Sequence, residues 1–429
     1  MRQEGTNLER CFLKFPEGVA HLETSPALDP DRARLNPYFA KTDERVLIAN
    51  LSPEEQESAK KNGAKVYADV LFTAASNRVM LFDHFPRRMR FWDDVSSAIP
   101  TDAPPSPWFN ASLTDVLAKI SAPAAWNITK GAGVTVVIVD SGINGDAPDF
   151  GKERRSEISL APSFSDGAWR DALGHGSMVA SIAAASASNG GEYNGVAPEA
   201  NILSARTTYQ SSDLFTIYEN ILDAITTSKV SGPVVVNNSY QLSRCKPQSQ
   251  MPSDHPYADL IRKMVASGIP MVFAAGNNHA DMMCGNDPAS CAPNTIWAVN
   301  SLDEVITVGA VNWEDTNQSG AHGNSSRGPG EWSVVSGKPD VVAPCYGRVR
   351  WGGEYRCMEW WGTSGAAPLV TGLAALLLAY GSKKGKALSP KEVAGLIRRG
   401  CRPIPNAAPS CVGAGRIDCY ASLRLLNGE

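Results

Sequence analysis

Four polar residues in this chain have the type and placing that acyl transfer needs. Asp140 closes the apolar run VTVVIVD (134–140) and is followed by Ser-Gly. A carboxylate at the end of a buried strand can be held by backbone donors and can orient a base. His175 lies in GHGSMVASIAAA (174–185), and of the six histidines it alone stands between glycines at a strand-to-helix transition. Ser364 lies in GTSGAAPLVTGLAALLLAY (362–380), at the head of a helix that is apolar almost all round. Such a helix opens inside the protein, where its first N–H groups can receive a developing negative charge. Asn277 ends PMVFAAGN (270–277) and offers an amide donor, with Asn278 beside it competing for the role. Singly, these are an ordinary turn Asp, a helix-start His, an N-cap Ser and a turn Asn. Together they supply acid, base, nucleophile and oxyanion donor, the set required for chemistry through a tetrahedral intermediate.

The elements that must position them alternate. Apolar, β-branched runs at 134–140, 200–206, 233–239, 270–276 and 305–311 are separated by helical stretches near 176–187, 214–229 and 255–267. Strands buried on both faces read as unbroken apolar runs. The pattern predicts an α/β fold, a doubly wound, mostly parallel sheet with helices on both faces. In such folds ligands bind beyond the carboxyl ends of the strands, where strand order reverses. Asp140 and Asn277 both stand at such ends.

With those residues in place, the chain resembles the subtilisin-like serine proteases, the subtilases. The Asp motif matches VVIVDSGIN (136–144), the His motif HGSMVAS (175–181), the Asn motif AAGN (274–277) and the Ser motif GTSGAAP (362–368). The order Asp, His, Asn, Ser also agrees, and the likeness runs from about 120 to about 400. The resemblance implies a serine endopeptidase in which Ser364 attacks, His175 takes its proton, Asp140 orients the imidazole and Asn277 serves the oxyanion hole. It implies a peptide or protein substrate paired with two backbone segments, Tyr209, Gln210, Ser211 and Ser212 on one side and Ser239, Tyr240 and Gln241 on the other. Ala274 and Gly276 are expected beside them. Two other uses of the same cleft remain open: a transpeptidase or macrocyclase, and a catalytically inactive peptide-binding module.

Three positions depart from the family pattern. Met178 replaces a His, a position expected to be packing. Gly365 replaces the Met after the nucleophile and removes bulk behind it. Ser-Tyr-Gln at 239–241 replaces Ser-Leu-Gly, and a side chain on Gln241 is expected to narrow or re-rim the first specificity pocket.

Residues 1–84 are expected to form a small α+β unit resembling the family's propeptide, one that lies in the cleft and is removed by self-cleavage; the alternative is a permanent regulatory or targeting domain. Within it RVLIANL (45–51) reads as a strand, Ser52 with Glu55 as a capping box, and AKVYADVLF (64–72) as a second strand. The Pro-rich stretch 85–110 reads as a linker and the place of cleavage, and 111–429 as the catalytic domain. With 43% apolar and 20% charged residues and a formal charge of −4, the composition is that of a globular protein without a nucleic-acid partner. The longest apolar run, 372–380, is half the length of a membrane span. Three cysteine pairs close in sequence, Cys284 with Cys291, Cys345 with Cys357 and Cys401 with Cys411, suggest disulfides, the alternative being free, partly buried thiols, with Cys11 the candidate for the odd thiol among nine. They point to a secreted or periplasmic protein, whereas the lack of an apolar leader segment points to the cytoplasm. No cofactor is expected for catalysis. The family often binds structural calcium, for which no ligand set is legible here.

Overall fold

The computed structural model describes residues 8–15, 33–35, 45–74, 112–156, 158, 160–188, 190–191, 193–244, 251–280, 284–311, 320–333, 337–345, 347–351, 356–360 and 362–428. The 85–110 segment, and with it the expected linker, lies outside the described residues.

The N-terminal unit is an antiparallel sheet of β1 (Glu9–Phe15), β2 (Ala33–Leu35), β3 (Arg45–Leu51) and β4 (Lys65–Ala68), in the order β2-β3-β1-β4, with helix α1 (Pro53–Lys61). Helix α1 begins where the sequence places it, with Ser52 and Glu55 closing a reciprocal capping box. Strand β1 went unforeseen because Cys11, Phe12 and Leu13 are all apolar, which spoils the period-two signal. Both faces of β1 are covered. Cys11, Leu13 and Phe15 pack toward Leu47, Leu51 and Ala59, while Phe12 joins the core of the larger unit. The strand read over 64–72 stops at Ala68, because the chain then leaves the sheet so that the Asp69 carboxylate can bind elsewhere.

The larger unit carries a six-stranded parallel sheet. Its strands are β6 (Thr135–Asp140), β7 (Asn201–Arg206), β8 (Val234–Asn238), β10 (Met271–Ala274), β11 (Ile306–Val311) and β12 (Val341–Pro344), in the order β12-β11-β10-β8-β6-β7. The two short strands β5 (Thr73–Ala74) and β9 (Tyr240–Gln241) pair with each other, as do β13 (Gly347–Trp351) and β14 (Arg356–Trp360). From β6 the chain steps one way to β7 and the other way to β8, so strand order reverses at β6 and its carboxyl end carries Asp140.

Two helical layers cover the sheet. Val136 and Ile138 of β6 face the layer of α4 (His175–Ala184) and α7 (Thr363–Lys383), and Val137 and Val139 face that of α5 (Ser211–Thr226) and α6 (Pro256–Ala266). Short helices α2 (Leu113–Lys119), α3 (Ala122–Ala125), α8 (Pro390–Gly400), α9 (Pro409–Val412) and α10 (Cys419–Leu425) complete the fold. This is the doubly wound α/β architecture expected. Among the described residues only α7 is long and apolar enough to cross a membrane, and its apolar stretch is wholly buried in the core.

The cysteine pairing corrects the sequence reading. Cys291 is bonded to Cys411 across 120 residues, so neither Cys284–Cys291 nor Cys401–Cys411 exists. Cys284 is itself disulfide-bonded. Cys345 is a free thiol, which removes the Cys345–Cys357 pair, and Cys11, Cys401 and Cys419 are also free. Nearness in sequence was the wrong guide: the Cys291 loop and α9 are gathered by a small apolar cluster with Val311, Val342 and Val412. Burial pushes the Cys345 and Cys401 thiols up to about 12, so they behave as small apolar side chains.

Candidate active site

Asp140, the last residue of β6, is fully buried. Its Oδ1 accepts from the Ser141 N–H at 2.7 Å, meets His175 Nδ1 at 2.7 Å and accepts from the Tyr209 hydroxyl at 2.9 Å. His175 is the first residue of α4, brought close by Gly176. A Cβ at Gly176 would stand 2.0 Å from the Gly142 carbonyl oxygen, so only glycine lets helix and strand end approach. Burial by itself would push the imidazole pKa down. The Asp140 charge and hydrogen bond, with the Asp171 charge behind them, outweigh it and hold the pKa above its ordinary value. Its Nε2 is buried and has no hydrogen-bond partner among the described residues.

Asp171 belongs to this arrangement although sequence reading did not single it out. Its carboxylate accepts from Gly174 N, Ser177 N, Ser177 Oγ and Ser141 Oγ at 2.6–2.9 Å, tying the start of α4 to the turn after β6. An Asp four residues before the helix start is the signal that could have found it.

Ser364 is the second residue of α7 and fully buried. Pro368, one turn on, has no N–H to give the Ser364 carbonyl, and Ser239 Oγ supplies the donor at 3.0 Å instead. Ser364 Oγ in turn donates to the Ser239 carbonyl at 3.4 Å. The segment after β8 therefore holds the nucleophile candidate through both its backbone and its side chain.

Asn277 follows β10, and its Oδ1 accepts from the N–H and hydroxyl of Thr363 at 3.0 and 3.1 Å. That fixes the amide beside the first turn of α7. Gly362, at φ +83°, leaves it room, since a Cβ there would come within 2.7 Å of Asn277 Nδ2. Asn278 is engaged elsewhere. Its Nδ2 donates to the Leu242 and Thr295 carbonyls and its N–H to Ser326 Oγ.

The expected substrate-binding residues line two backbone edges, and both edges are already occupied. Phe72 N–H donates to the Tyr209 carbonyl at 2.9 Å, Leu71 bridges Gln210, and the Ser211 N–H donates to the Val70 carbonyl at 2.8 Å. On the other side Thr73 pairs with Gln241 and Ala74 with Tyr240, antiparallel. Asp69 caps α5, accepting from Ser211 Oγ, Ser212 N and Ser212 Oγ at 2.7–2.8 Å. Residues 70–74 thus form an extended segment between the two edges, ending in β5. Around them the N-terminal sheet docks on α5 and α6. Phe12 lies against Phe215 and His255, and Lys65 and Tyr67 both reach Asp254 at 3.0 Å. Asn300, also missed from sequence, braces the cleft by donating to both the Tyr240 and Ala274 carbonyls at 2.7 and 2.8 Å. Gly276 N–H donates to Thr363 Oγ1 at 3.1 Å. Met178, 1% exposed, is packed in the core. Among the described residues no group of three or more His, Cys, Asp or Glu is gathered where a metal ion could sit, so no ligands are assigned to a structural calcium.

A family model, the subtilase family, matches residues 131–414, which take in all four residues described above. This chain belongs to the subtilases. The subtilase is 30% identical over 315 residues to an intracellular serine protease of Paenibacillus polymyxa, covering 69% of this chain and 82% of that protein. It is 27% identical over 318 residues to the serine protease AprX of Bacillus subtilis (strain 168), covering 68% of this chain and 66% of AprX. It is also 27% identical over 419 residues to the subtilisin-like protease SBT6.1 of Arabidopsis thaliana, covering 92% of this chain but 37% of that longer protein. Two of these relatives are serine proteases and the third a subtilisin-like protease.

Proposed function

We propose that this subtilase is a serine endopeptidase that works through Asp140, His175 and Ser364 and processes its own N-terminal unit. The observation that carries the reading is the buried Asp140–His175 hydrogen bond at the reversal point of the sheet. Ser364 Oγ attacks the peptide carbonyl carbon and its proton passes to His175 Nε2. Asp140 keeps the proton on Nδ1 and stabilises the imidazolium as it forms. The oxyanion is received by the Asn277 side-chain amide and the Ser364 N–H at the start of α7, where the helix dipole adds to the donors. The C–N bond breaks as His175 returns its proton to the leaving amine, and water, deprotonated by the same His175, then hydrolyses the acyl-enzyme.

Self-processing is supported by the extended segment 70–74, which bonds to one edge through Val70 and Phe72 and to the other through Thr73 and Ala74, as a substrate would. It favours cleavage a short way past Ala74 over cleavage within 85–110. The Cys291–Cys411 bond supports an oxidising compartment, secreted or periplasmic, and intact mass with and without reductant tests it. The test of the activity itself pairs labelling by an organophosphonate probe with intact mass over time, for wild type and Ser364→Ala. Wild type is expected to label and to lose an N-terminal fragment of roughly seventy-five residues, as the paired segment implies, while the variant stays whole and unlabelled. Absence of labelling in folded wild type refutes the reading.

A further inference from the structure

We propose that Gln241 restricts this protease to substrates with a small residue, Gly, Ala or Ser, immediately before the scissile bond. The inference rests on the endopeptidase reading above and names its substrate class.

The register of β5 on β9 locates the position concerned. Thr73 lies opposite Gln241 and Ala74 opposite Tyr240. A substrate strand carrying that register one residue further comes opposite Ser239. The Ser239 carbonyl is the group that accepts from Ser364 Oγ, so this next substrate residue is the one whose carbonyl the nucleophile reaches. With the oxyanion directed at Asn277, the Cα of that residue stands between β9 and the segment Ala274–Asn277. Its side chain must enter the gap between those two walls, which Asn300 holds at fixed spacing.

Gln241 already crosses that gap. Its Oε1 accepts from the Asn277 N–H, and its Nε2 donates to Ser243 Oγ at 3.0 Å. A Cβ added to Gly276 would lie 2.8 Å from Gln241 Oε1, so the amide rests directly on the far wall. The residue is 8% exposed. Both ends of the amide are satisfied, and moving it aside for a large side chain leaves a buried N–H of Asn277 without its partner. A methyl or hydroxymethyl group needs only the mouth of the gap; a phenyl or isobutyl group needs the volume that the glutamine fills. The chain's own sequence agrees, since Phe72 is followed by Thr-Ala-Ala-Ser, an unbroken run of small residues.

The test uses the processed enzyme and a peptide series Phe-Thr-Ala-X, cleaved after X to release a fluorescent amine, with X as Ala, Ser, Leu or Phe. Wild type is expected to favour Ala over Phe in kcat/KM by on the order of a hundredfold, the discrimination of a pocket too small for its ligand. Gln241→Gly is expected to cut that ratio at least about tenfold, by admitting the large group. Gln241→Ser serves as a second variant should the glycine destabilise the loop. The ratio of phosphonate labelling rates for probes bearing Ala or Phe at the same position gives an independent readout. Wild type cleaving after Phe as fast as after Ala, or ratios unchanged in both variants while Ser364 still labels, overturns the role of Gln241 alone. Failure of every peptide and every probe overturns the endopeptidase reading and this inference with it.

Discussion

Glu219 on α5 is 1% exposed and neither carboxylate oxygen has a hydrogen-bond partner among the described residues. Burial raises its pKa from 4.5 to about 9, only partly offset by the charge of Lys263. The sign follows from linkage. The folded chain keeps a proton that the unfolded chain has lost above pH 4.5, so the stability this carboxyl contributes is fully present below that pH and falls steadily as pH rises toward 9. At pH 7 the cost is about 3 kcal/mol, roughly two and a half pH units of differential protonation. Glu219→Gln keeps the shape and replaces the titrating carboxyl by an uncharged amide. It is expected to stabilise the protein by up to about 3 kcal/mol at pH 7 and by close to nothing at pH 4.5. The assay is denaturant unfolding of the Ser364→Ala chain, with and without Glu219→Gln, at pH 4.5, 6, 7 and 8. A gain equal at all four values would show that packing, not proton linkage, is responsible, and no gain at pH 7 would refute the reasoning outright.

Tyr209→Phe removes the hydroxyl that shares the Asp140 charge, a hydrogen bond of a kind worth about 1.5–3 kcal/mol. With its carboxylate less neutralised, His175 becomes more basic, so the acid limb of the kcat/KM profile is expected to move to higher pH while kcat falls more than KM changes. An unmoved profile would show that the phenol is only packing. His255 lies edge-on to Phe12 and Tyr67, with Nδ1 accepting from Tyr257 N–H and Nε2 against the Ala68 carbonyl, and burial lowers its pKa to about 4. The charges of Asp69, Asp254 and Asp259 oppose that shift without cancelling it. A depressed histidine pKa favours the docked state above the free value of 6.5 and loses that favour as pH falls toward 4. Amide exchange in Cys11–Phe15 of the intact Ser364→Ala chain should accordingly quicken between pH 6.5 and 4, after correction for intrinsic rates, and the same correction in His255→Gln should flatten the response. Identical curves for the two chains would rule out His255 as the cause.

Much of this protein is legible without its tertiary structure. The strands of the central sheet are unbroken apolar runs because both their faces are covered, and Val136 through Val139 duly divide between two cores. The capping box at Ser52 is written within four residues, and Asp140, His175 and Ser364 fall at a strand end or a helix start, with Asn277 three residues past the end of β10. These signals are local, set by chain periodicity and by backbone groups that want a partner nearby. What escaped depends on residues distant in sequence meeting in space. Cys291 found Cys411 rather than its neighbour because an apolar cluster gathers their loops. Asp69 left its strand to cap a helix that begins at Ser211. The Tyr209 hydroxyl turned inward to Asp140, and the Gln241 amide lay across a gap whose far wall is formed by Gly276 and Asn277. Side-chain direction and long-range partners are chosen by burial and by the demand that every buried polar group be satisfied, and only the packed chain answers that demand.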